Sequence, residues 1–255
     1  MFSDEPRCRY SRNPLAEVIC QLRFPRILSI SAQAPVRFQE ELRREYPGFS
    51  SRQEPSAPLI PGQPRPADTI NYQFSSPDGV WRINLTDSFL SLTCSRYTCW
   101  EDFAQHLDRP LASFIQIYDP AYFERIGLRY LNVISRRDMD LSQEPYQRLI
   151  NPIWLGPLSD PMVSEGAVSR CGVDFDGAVP GGCRVKIHAG PGLIRRPGQM
   201  DNEAKFIWDL DLYVPNQVPV ARSAGVLQTL HGHAFPLFRG AVTDLLHDAM
   251  EPQAL

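Results

Sequence analysis

No stretch of the chain stays apolar for the roughly 18 residues that a bilayer-spanning helix needs, so no transmembrane segment is expected. The opening Met1-Phe2-Ser3-Asp4-Glu5-Pro6-Arg7 places acids and a proline where a secretory leader needs an unbroken apolar core. A cytoplasmic protein is therefore expected. Lysine is scarce: Lys186 and Lys205 stand beside 24 arginines. The net charge is −3 and the pI about 6.0, which excludes a generally basic nucleic-acid coat. The six cysteines (Cys8, Cys20, Cys94, Cys99, Cys171, Cys183) form no C-x-x-C pair, so buried, reduced thiols are expected and a zinc site is not. G-x-S-x-G, H-E-x-x-H, P-loop and G-x-G-x-x-G motifs are all missing, which leaves no ready-made catalytic constellation and implies no cofactor.

What remains is a chain of 255 residues, 43% hydrophobic and 22% charged, long enough to bury a core without covalent staples. Residues 16–24 alternate, with Val18, Cys20, Leu22 and Phe24 on one side and Glu17, Gln21 and Arg23 on the other, which predicts a half-buried strand. A helix follows over 35–46. Residues 47–68 hold six prolines and read as a loop or insertion. Three alternating runs come next, carried by Ile70, Tyr72 and Phe74, by Trp81, Ile83 and Leu85, and by Leu90, Leu92 and Cys94. The apolar period over 100–118 predicts a helix that Pro110 should bend or divide. The second part reads as a strand over 123–134, a helical stretch near 144–155, strands over 167–176, 183–189 and 205–214, and a final helix over 224–250.

Two tandem β-α-β-β-β-α halves are thus expected, 1–119 and 120–255, forming curved antiparallel sheet surface with helices packed on one face, an α+β fold. The triplets Leu22-Arg23-Phe24 and Leu128-Arg129-Tyr130 echo one another in the opening strand of each half. This architecture resembles tandem TATA-box-binding-protein-like or helix-grip units.

Alternation also identifies what faces away from the core. Asp174 and Asp176 lie on one predicted strand, Arg184, Lys186 and His188 on the next, and Asp209 and Asp211 on a third. In a meander this sets a basic row between two acidic rows. The plain interpretation is an ion-paired, solvated sheet face. The sharper one is a surface for a protein partner or a small polar ligand, with Arg23 and Arg129 joining it as planar forks for carboxylate or phosphate. Alternatively, the four aspartates could hold a divalent cation for hydrolase or nuclease-like chemistry, although the intervening cations already neutralise them. His231 and His233 are two apart on a helix and make a poor metal pair. Tyr97 and Trp100 serve as an aromatic patch or as a helix anchor. Residues 1–65 carry ten arginines against seven acids, a faint basic excess that keeps a nucleic-acid-binding module among the alternatives.

The opening Asn13-Pro14-Leu15-Ala16-Glu17-Val18-Ile19, the Tyr97-x-x-Trp100-x-x-Phe103 step, the strand Glu124-Arg125-Ile126-Gly127-Leu128-Arg129-Tyr130-Leu131-Asn132 and the late His231 with Phe238 resemble a sporadically distributed family of uncharacterised bacterial proteins of similar length. The resemblance spans almost the whole chain. It implies a bacterial origin and, through the sporadic distribution, a link to mobile elements or defence, with Arg129, Asn132, Tyr97, Trp100 and His231 as residues of interest. The expectation is a non-enzymatic binding or regulatory protein.

Overall fold

The computed structural model describes residues 2–54, 69–193 and 201–255. The strands are β1 (Cys8–Tyr10), β2 (Leu15–Arg23), β3 (Gly48–Glu54), β4 (Thr69–Ser75), β5 (Trp81–Leu85), β6 (Phe89–Cys94), β7 (Phe123–Ile134), β8 (Val173–Val179), β9 (Cys183–Leu193), β10 (Ala204–Val218) and β11 (Pro252–Ala254). The helices are α1 (Leu28–Ala32), α2 (Val36–Leu42), α3 (Trp100–Tyr118), α4 (Tyr146–Leu149), α5 (Ser223–Arg239) and α6 (Asp244–Ala249). The fold is α+β, a large antiparallel sheet with helices packed against it. No helix among the described residues is long and apolar enough to cross a membrane.

Two compact units divide the chain. One comprises Val18–Gly127 and Val214–Val226; the other comprises Met1–Glu17, Leu128–Tyr213 and Leu227–Leu255. In the first, β3, β4, β5, β6 and β2 are neighbours in that order. Their alternate residues Tyr72, Phe74, Ile83, Leu85, Leu92, Cys20 and Leu22 are buried. Phe103, Leu107 and Phe114 of α3 and Phe38 and Leu42 of α2 complete this core. Phe24 meets Phe114 with ring centroids 4.6 Å apart, and Phe38 meets Phe74 at 5.5 Å. Each such side chain contributes about 1.5–3 kcal/mol of burial free energy.

In the other unit, β7, β10, β9 and β8 are neighbours in that order. Leu128, Tyr130 and Ile134 of β7, Val185 and Ile187 of β9, and Trp208, Leu210 and Leu212 of β10 are buried, as are Leu230, Leu237 and Phe238 of α5. The short strands β1 and β11 pair antiparallel, Cys8 opposite Ala254.

Several expectations need correction. Residues 48–54, assigned to the proline-rich loop, form β3; the rest of that insertion, 55–68, lies outside the described residues. Four strands, β3 to β6, therefore lie between α2 and α3, where three were expected. The helix expected over 144–155 is a single turn, α4, followed by 3-10 turns at Pro152–Trp154 and Gly156–Ser159, because Pro152 and Pro157 lack the N–H that an α-helix would need there. The helix expected over 224–250 stops at Arg239, and Thr243 caps a separate α6 by accepting from the Leu246 N–H. Conversely, Pro110 does not divide α3, which runs unbroken from Trp100 to Tyr118.

Candidate functional site

The site is built from the register of three strands. On β8, β9 and β10, Asp174, His188 and Asp209 form one rung, and Asp176, Lys186 and Asp211 form the next. Ala178, Arg184 and Tyr213 form a third. Residues directly opposite one another in antiparallel pairs share a face. Their apolar neighbours Ile187, Leu210 and Leu212 point the other way into the core. The unit's β7 adds Arg129 to the polar side, because Arg129 alternates with the buried Leu128 and Tyr130.

These residues line an open recess of about 470 Å³, bounded by Arg129, Asp174, Asp176, Lys186, His188, Asp209 and Asp211, with Phe175 and Ile187. Arg129 binds Asp209 with both prongs of its guanidinium, Nε to Oδ1 at 2.6 Å and Nη2 to Oδ2 at 2.5 Å. Hydrogen bonding to Asp209 holds the Arg129 pKa above its ordinary value. Arg184 donates to Asp176 at 2.6 Å and to the Tyr213 hydroxyl at 3.3 Å, and Lys186 approaches Asp176 at 3.7 Å. The Arg184 bond keeps the Asp176 carboxyl below the usual carboxylate range. His188 Nδ1 meets Asp174 at 2.7 Å, and that carboxylate stays 81% exposed.

Seven of the sequence-selected residues therefore come together: Arg129, Asp174, Asp176, Lys186, His188, Asp209 and Asp211. The others lie elsewhere. Asn132 is buried, 3% exposed, and donates to the Trp208 carbonyl at 3.4 Å on the core side of β7, opposite to Arg129. Parity carried this signal: positions 129 and 132 of one strand cannot face the same way. His231 is also buried and meets the Tyr130 hydroxyl through Nδ1 at 2.9 Å, so it belongs to the packing of α5 on β7. Trp100 is buried at the start of α3, stacked on Phe103, and Tyr97 contacts the same ring, which makes them anchors of that helix. Arg23 is exposed at the end of β2. Arg184 and Tyr213, not singled out from the sequence as site residues, close the third rung; Arg184 sits on the same alternation as Lys186 and His188.

The metal alternative meets a physical obstacle. Among the described residues, no group of three or more His, Cys, Asp or Glu side chains is placed to hold a metal ion. Asp209 is spanned by a guanidinium, Asp176 by Arg184 and Lys186, and Asp174 by His188. A hard cation would have to displace these partners.

No protein-family model matches the chain, and no curated protein is significantly similar to it.

Proposed function

We propose that this is a non-enzymatic binding protein whose charged recess on β7, β10, β9 and β8 takes a small polar ligand bearing a primary amine or guanidinium. The observation that supports this reading is the excess of carboxylates: Asp174, Asp176, Asp209 and Asp211 line the recess with Arg129 and Lys186, and Arg184 reaches Asp176 from the next rung, so four carboxylates meet three permanent cations. An anionic ligand would have to compete with Asp209 for a guanidinium already bound through two hydrogen bonds. A cationic ligand finds Asp174 and Asp176 on the edge strand with much of their surface in water. The recess volume lies in the range of about 300–1,000 Å³ typical of small-molecule sites.

Titration calorimetry and thermal-shift measurements with spermidine, arginine amide and lysine amide test the reading. Saturable heat and a raised Tm are expected with at least one of them, and both are lost in Asp174→Asn/Asp176→Asn. No response to any of the three amines, or an equal response in the double variant, overturns it.

A further inference from the structure

The other unit presents a polar sheet surface of different chemistry. Ser50, Gln73, Asn84, Ser91 and Gln21 stand directly opposite one another across β3, β4, β5, β6 and β2. Five strands at about 4.8 Å spacing make this an uncharged row of amides and hydroxyls roughly 19 Å long. Ser50 donates to Gln73 at 3.2 Å and Asn84 to the buried Ser91 at 3.4 Å, which fixes part of the row. The Gln21 amide, the Gln73 NH2 and the Asn84 carbonyl take no further partner among the described residues.

The charges stand at the rim of this row and are mostly of one sign. Arg82 lies one rung to one side, between Ser75 and Thr93. Arg52 lies one rung to the other side opposite Asn71, and Arg23 stands beside Phe89. Arg23 and Arg52 are exposed and form no ion pair with any described residue. The single carboxylate on the β3 segment of this face, Glu54, accepts from Asn71 at 2.9 Å. In a chain of net charge −3, this face carries the guanidinium groups of Arg23, Arg52 and Arg82 against two carboxylates, Glu54 and, near the start of β2, Glu17.

We infer that this face binds single-stranded nucleic acid. Guanidinium groups complement phosphates, and each amide offers one donor edge and one acceptor, the pairing needed to read an unstacked base. Phe89, half-buried beside Arg23, supplies a ring edge against which a base can rest. A sulfated or carboxylated polysaccharide shares the anions and has hydroxyls for the amides, but it has no flat base to rest against Phe89.

Fluorescence anisotropy with labelled oligouridylate and oligothymidylate, over a salt series, tests the inference on the full chain. Binding is expected, with affinity falling linearly as log salt rises. Arg23→Gln/Arg52→Gln should weaken it at least about tenfold at low salt and flatten the salt slope by about 1.4, two single-strand phosphate contacts at about 0.7 each. Gln73→Ala/Asn84→Ala should weaken binding with the slope unchanged. Circular dichroism and Tm confirm that both double variants are folded. No binding at low salt, or binding unaffected by the arginine pair, overturns the inference. So does equal affinity for heparin with no effect of the amide pair, which assigns the face to anionic polymers in general. Since the amine-binding recess is not altered in either variant, its calorimetric response reports independently on that other reading.

Discussion

Tyr46 donates its hydroxyl to the carbonyl oxygen of His106 at 3.2 Å. That carbonyl lies four residues before Pro110, which has no N–H to give it. A side chain from beyond α2 thus fills the acceptor that a helix-interior proline leaves open, and α3 passes through Pro110 unbroken. The same hydroxyl lies 3.1 Å from His106 Nδ1, and the imidazole stacks on Trp81 at 3.9 Å. Burial of Tyr46 raises its phenol pKa, so it stays a neutral donor.

Tyr46→Phe should therefore destabilise the protein by about 1–3 kcal/mol, the cost of leaving a buried acceptor unfilled. In a Pro110→Ala background the restored N–H supplies the missing donor, and the Tyr46→Phe penalty should shrink by about 1 kcal/mol. Urea unfolding of the four proteins in this cycle measures it. A penalty equal in both backgrounds contradicts the assigned role.

The strands with an apolar face are legible because apolar residues recur at every second position, as in β2, β4, β5 and β6, even though Ser91 and Thr93 of β6 are buried as well. β3 was not: Phe49 is its one large apolar residue, and the strand is exposed almost throughout, so backbone pairing with β4 holds it where side-chain burial does not. β1 and β11 are three residues each and likewise depend on pairing. The charged recess was legible in composition, since alternation placed its acids and bases on one side. Which carboxylate meets which cation depends on register, and register is set by turns such as Gly181-Gly182, both at positive φ. Asn132 and His231 enter through the family resemblance, whereas their positions among buried neighbours make them core groups, a packed role that the apolar stripe of the last helix already indicates for His231.

The Arg129–Asp209 pair makes a prediction of opposite sign for stability and binding. Arg129 is 45% exposed and Asp209 20%, so solvent screening limits Arg129→Ala to a loss of about 1 kcal/mol or less. The substitution also frees the Asp209 carboxylate and removes a cation from the recess. Amine affinity should rise by a factor of two or more on the order of common ion-pair energies, while Arg129→Lys, keeping the charge but losing the fork, should fall between. Calorimetric titration of spermidine into the three proteins checks the ranking; weaker binding by Arg129→Ala points to an anionic ligand instead.

Asp201 gives a pH dependence. The Lys205 ammonium, the Glu203 backbone N–H and Arg137 hold its carboxyl at about 2, below the ordinary 3.8. The unfolded chain takes up the proton first on acidification. The stabilisation is therefore complete above the ordinary value and is lost as pH falls toward about 2. Asp201→Asn should flatten the stability profile across that window and leave its shape at neutral pH unchanged. Denaturant unfolding at a series of acidic pH values, on wild type and variant, provides the comparison; parallel curves contradict the assignment.

Arg239 ends α5 with its side chain only 8% exposed. It donates to Glu5 at 2.8 Å, to the Val242 carbonyl at 3.2 Å and to Asp244 at 2.5 Å. One guanidinium therefore ties the segment before β1 to the link between α5 and α6. Removing it leaves a buried carbonyl without its donor, whereas Glu5 and Asp244 are 48% and 87% exposed and regain water. Arg239→Ala should thus cost about 1–3 kcal/mol, less than the loss of a fully buried ion pair. Arg239→Lys should recover part of it, because an ammonium cannot span three acceptors in a plane. The effect is expected to be local first. The amides of Cys8–Tyr10 should exchange faster in Arg239→Ala, and proteolysis should begin near Glu5, before any change in the exchange of β9 and β10. Uniform acceleration across the unit instead means that Arg239 supports the core as a whole and not the tether.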